Sequence, residues 1–184
     1  MPLPLLLTVS LLISARPSFA QDSTGQRLLP ERGVVFSLDS AKQLMHPCSR
    51  IDAPHPTGAW TPTSQDIAAL ERALSPVLAR KIREEAFPFV GADTIKLSLT
   101  PTDYYRQYDG IIVHGRRLIY INGFHSMFLG MQARVDSATG SKQARQWNWR
   151  RIPVFVCDGG YGFFGAVYDP ALDRVEDFGF NGVG

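Results

Sequence analysis

Two cysteines, four histidines and one arginine- and tryptophan-rich stretch hold whatever chemistry this chain carries. Cys157 would be a nucleophile if His125 or His114 served as its base, because only the thiolate attacks and the base must stand within hydrogen-bond reach. His46 and Cys48 would give a metal two ligands, short of the four that a structural zinc takes. Asp109 with His114, or His125 with Asp158, would make an acid/base pair for hydrolysis if folding brought the two groups together. Arg145, Trp147, Trp149, Arg150 and Arg151 form the most unusual local composition, since no acid lies between Asp136 and Asp158. A guanidinium beside an indole can bind anionic surfaces, stack on flat groups or anchor a protein interface.

Each of these readings has a plainer competitor. Tryptophans mostly pack against a core. Asp158-Gly159-Gly160-Tyr161-Gly162 looks like an anion cradle, but a strand-forming run follows it where a phosphate loop needs a helix. A hairpin turn requiring positive φ explains its glycines without a ligand. No G-x-S-x-G, H-E-x-x-H, Walker or paired C-x-x-C motif is present. No catalytic residue is therefore assigned, and neither a metal nor a cofactor is expected.

The N-terminus sets the compartment. Leu3 to Ile13 is an apolar run closed by Ser18-Phe19-Ala20, the pattern of a cleavable signal peptide over residues 1–20. Nothing after residue 20 offers the roughly 18 uninterrupted apolar residues of a membrane span, so the expectation is a periplasmic or secreted protein with no transmembrane segment after cleavage. In an oxidising compartment Cys48 and Cys157 should pair. Closing a loop of roughly 110 residues would remove about 4–5 kcal/mol of unfolded-state entropy. With 19 basic against 17 acidic side chains, the net charge of +2 does not point to nucleic acid as a partner. An apolar content of 45% with 20% charged residues excludes a disordered chain.

Around these residues the pattern predicts a flexible leader over 21–32 and a single domain over 33–184. Gly33 to Leu38 reads as a first strand, and Asp39 to about Met45 as a short helix ended by Pro47. Between Cys48 and Pro62, prolines stiffen a loop whose Trp60 should dock on the core. Thr63 with Asp66 is a capping-box-like start, and Ile67, Leu70, Leu74, Val77, Leu78 and Ile82 follow the helical period. Pro76 predicts a kink, or a second helix capped by Ser75. Strands are expected at Ile95–Leu99, Tyr104–Val113, Arg117–Gly123, Ile152–Cys157, Tyr161–Tyr168 and Arg174–Phe180, the central pair turning at His114-Gly115. In Tyr104–Asp109 the alternation reads as a half-exposed strand, with Tyr104, Arg106 and Tyr108 on one face and Tyr105, Gln107 and Asp109 on the other.

The fold class expected is α+β: an antiparallel meander of about four to six strands with one main helix packed on one face. The function expected is an exported, non-catalytic binding or inhibitor-type module engaging a protein or cell-envelope component, with no role for nucleic acid. The alternative is a cell-wall or carbohydrate hydrolase using His125 and Asp158.

Overall fold

A computed structural model describes residues 27–28, 32–36, 55–86, 99–129 and 148–182. Seven strands form one sheet: β1 (Arg27–Leu28), β2 (Gly33–Val35), β3 (Gly58–Ala59), β4 (Tyr104–Val113), β5 (Arg116–His125), β6 (Phe163–Asp169) and β7 (Arg174–Phe180). The order is β1-β2-β4-β5-β6-β7, and β3 also pairs with β4. The fold is α+β, but the sheet is mixed rather than purely antiparallel, because β2 runs parallel to β4 with Val35 beside Tyr108. No short link joins those two strands, so the hairpin logic behind an all-antiparallel meander does not govern them. Arg27–Leu28 pairs with Val34–Val35, which brings part of the polar leader into the sheet.

The central β4–β5 hairpin is in register from Tyr104 opposite His125 to Val113 opposite Arg116. His114 and Gly115 both have positive φ, the geometry of a tight turn whose twist matches its strands. Side chains alternate as expected between two faces, but neither face of β4 is open along its centre. On the first face lie Tyr104, Tyr108, Ile119, Ile121, Phe164, Ala166 and Tyr168, packed against the helix α1 (Ser64–Lys81) through Ile67, Leu70, Leu74 and Leu78. On the second lie Val34, Phe36, Ile111, Tyr120, Phe124 and Val167, covered by Trp149 and Val154.

Thr63 and Asp66 form a reciprocal capping box at the start of α1. The helix runs as one piece through Pro76, with no second start at Ser75. Pro76 is exposed, so the carbonyl that it leaves without a donor can be hydrated instead of opening the helix. In β7 a bulge between Gly165 and Val167 of β6 inserts Asp177 with positive φ. It shifts the alternation by one residue, so Val175, Phe178 and Phe180 all reach the helix-side core.

The expected strand Ile152–Cys157 is not a strand, and no hairpin joins it to β6. Gly159 and Gly160 do take positive φ, but in a connection that ends in a 3-10 turn. The expected strand at 95–98, the helix from Asp39 to Met45 and Cys48 lie outside the described residues.

Close backbone approach makes one glycine irreplaceable. A Cβ on Gly110 would sit 2.1 Å from the Trp60 carbonyl oxygen, because segment 58–62 lies directly on β4. Gly110→Ala should therefore cost about 3 kcal/mol. Chemical denaturation reads this directly, and an unchanged midpoint would show that the segment does not dock.

Candidate functional site

On the second face, two uncharged polar residues stand opposite each other in a largely apolar layer. Gln107 of β4 and Asn122 of β5 are directly opposite in register and buried. An unpaired buried amide costs several kcal/mol, so their hydrogen bonds matter. Gln107 Nε2 donates to the Trp149 and Ile152 carbonyls at 2.6 and 2.9 Å. Its Oε1 accepts from the Val154 backbone N–H at 2.8 Å and from Asn122 Nδ2 at 3.0 Å. Asn122 Nδ2 also donates to the Val154 carbonyl at 2.8 Å. Asn181, just past β7, takes the next hold, donating from Nδ2 to the Val156 carbonyl at 2.8 Å.

Residues 149–156 are thus a strap bound across the sheet by side-chain amides. This is why Ile152–Cys157 does not add as a strand: its backbone groups are satisfied by Gln107, Asn122 and Asn181 rather than by a neighbouring strand. Val154 and Val156 point to the sheet, while Ile152 and Phe155 face solvent, 52% and 46% exposed. These are two of the four large apolar side chains exposed among the described residues, and they stand three positions apart on a fixed backbone.

Of the predicted arginine–tryptophan patch, Arg145 and Trp147 lie outside the described residues. Trp149 is part of the core, 8% exposed, with ring centroids 4.8 Å from Tyr105 and 5.9 Å from Phe124. Its indole is therefore a structural anchor of the strap and offers no free face to a partner. Arg150 stacks over it at 4.5 Å, and Arg151 is exposed beside Ile152.

Two residues along β4 from Gln107, Asp109 is 1% exposed, and neither carboxyl oxygen has a hydrogen-bond partner. Burial pushes its carboxyl up to about 8, so it is neutral in the folded protein at pH 7. His114 sits in the turn at the end of that strand, about 16 Å along it from Asp109.

His125 ends β5 on the opposite, helix-facing side, edge-on to Tyr104 at 5.2 Å. Its Nδ1 accepts from the Met127 N–H at 3.2 Å, which puts the ring proton on Nε2, a buried atom with no partner. Burial holds the imidazole below its usual pKa; Asp103 opposes this and Arg32 adds to it. Asp103, not Asp158, is thus the acid that acts on His125. Burial raises the Asp103 carboxyl, but its bonds from the Thr100 hydroxyl and N–H outweigh this and hold it low. Asp158 is exposed, follows strap residues packed on the second face, and has no hydrogen bond or ion pair with His125. Asp109 and His125 thus lie on opposite faces of the sheet, and no hydrogen bond or ion pair joins either of them to His114 or Asp158.

Cys157 is not a free thiol, and no described cysteine is free. Among the described residues no group of three or more His, Cys, Asp or Glu is placed to hold a metal ion, and no helix is long and apolar enough to cross a membrane. His46 lies outside the described residues.

Sequence reasoning missed Gln107, Asn122 and Asn181. Compared with known proteins, the chain matches no family model, no curated protein and no solved structure.

Proposed function

We propose that this chain is an exported, non-catalytic binding module, periplasmic or secreted, that engages a protein partner through the outer side of its strap. The observation that supports it most is the pair Ile152 and Phe155, exposed on a backbone that buried Gln107 and Asn122 hold in place. A soluble surface gains nothing from fixing two large apolar side chains in water, whereas an interface does. Ordering a contact at the moment of binding costs about 0.5–1.5 kcal/mol per side chain, and a pre-set backbone reduces that loss. Arg150 and Arg151 flank the pair and suit a partner pocket with an apolar floor and an acidic rim. A Cys48–Cys157 disulfide, formed and kept in an oxidising compartment, would tether the segment just past the strap to the start of the domain.

The test places a photo-crosslinking phenylalanine analogue at position 155 and, as a control, at Leu172, which is 57% exposed in the β6–β7 turn. Irradiation of the native envelope or culture fluid should give a discrete protein adduct from position 155 and none from 172. Ile152→Ser in the same chain should remove that adduct while changing stability by less than about 0.5 kcal/mol. Equal labelling from both positions would defeat the proposal.

A further inference from the structure

A cleft of about 570 Å³ opens at the hairpin-turn end of the sheet, between the β4–β5 turn, the start of α1 and the β6–β7 turn. Its size falls within the range of small-molecule sites. Trp60, Thr61, Asp66, Arg116, Arg117 and Asp169 line it. Its walls are set before any ligand arrives. The Trp60 indole Nε1 donates to the Leu118 and Ile111 carbonyls at 2.9 and 3.2 Å, and its backbone N–H donates to the Gly110 carbonyl at 3.0 Å. Asp169 accepts from the Ala171 N–H at 2.8 Å and pairs with Arg116, which also reaches Glu176. Asp66 spends Oδ2 on Thr63.

The Arg117 guanidinium lies over the Trp60 ring at 5.6 Å and has no ion-pair partner among the described residues. A guanidinium stacked on an indole keeps its N–H groups available in its own plane, so an aromatic wall and a planar donor fork stand together. Two arginines, one of them paired with Asp169, and two carboxylates line the cleft, so the lining charges sum to zero. A phosphate would meet both carboxylates. A neutral polyhydroxylated ligand instead finds donors, acceptors and a flat apolar surface at once.

We propose that this cleft binds a neutral carbohydrate, with Trp60 and Arg117 as the main contacts and Asp66 and Thr61 as partners for hydroxyl groups. The site lies at the opposite end of the hairpin from Trp149, which anchors the strap on Tyr105 and Phe124, and stands independently of the strap's function. The test is saturation-transfer NMR on the intact protein with chitotetraose, cellotetraose and maltotetraose as separate probes. At least one should receive transfer at millimolar concentration, and Arg117→Ala, an exposed position, should weaken its binding about tenfold or more without changing the melting temperature. Trp60→Phe, which removes the indole but keeps a ring, should weaken it as well. Three results would each overturn the proposal: no transfer to any of the three probes, binding that both variants leave unchanged, or displacement of the sugar by equimolar inorganic phosphate.

Discussion

Above pH 8, Asp109→Asn should be more stable than the parent protein relative to their difference at pH 4, by on the order of 5 kcal/mol. The Asp109 carboxyl is buried without a hydrogen bond, and burial raises it to about 8. In the unfolded chain it ionises near the ordinary aspartate value of about 3.9. Between those two values the unfolded state has released a proton that the folded state still holds. The contribution of the neutral carboxyl to stability is thus whole below about pH 4 and is lost as pH rises to about 8. His125, held below its usual value, works in the other direction, costing stability as pH falls below about 6.5. Taking the difference between variant and parent at each pH cancels that term. Urea denaturation from pH 4 to 9 gives the profile, and a difference that stays flat across that range would mean that Asp109 has a hydrated or paired carboxylate.

Gln107→Leu should cost about 4 kcal/mol, although it replaces a neutral residue with a more apolar one of similar volume. Removing the amide leaves the Trp149 and Ile152 carbonyls, the Val154 N–H and part of the Asn122 amide without partners in a buried layer. Asn122→Leu should also be destabilising, since it removes the bonds to Gln107 and the Val154 carbonyl. The double variant should be less destabilised than the sum of the two, because each single variant already breaks the bond that they share. Thermal and chemical denaturation of the four proteins completes the cycle, and strict additivity would contradict a linked amide pair.

The main elements were legible where local chemistry decides them. The capping box of Thr63 and Asp66, the apolar period from Ile67 to Leu78 and the positive-φ turn at His114-Gly115 need only neighbouring residues, and each formed where the sequence placed it. The parallel pairing of β2 with β4 was not legible, because a strand of three residues carries no mark of its partner's direction. Both faces of Tyr104–Val113 are covered, and Gln107 and Asp109 therefore looked like solvent-facing positions of a half-exposed strand when they are buried. The error at Ile152–Cys157 has the same root. Alternation of Val154, Phe155 and Val156 is real, but the groups that bind its backbone are amides about 30 to 50 residues away in sequence. Trp149 and Phe155 exchanged the roles that composition suggests: the indole is the buried anchor and the phenyl ring is the exposed one.

Hydrogen exchange at the Val154 amide probes the clamped strap without any knowledge of a partner. Val154 has no strand neighbour, so only the Gln107 carbonyl oxygen protects its N–H. In the parent protein this amide should exchange as slowly as those of β4 and β5, and in Gln107→Leu at the rate of an open loop while β4 and β5 stay protected. Rapid exchange at Val154 in the parent protein would contradict a pre-set strap, and with it the binding surface built on Ile152 and Phe155.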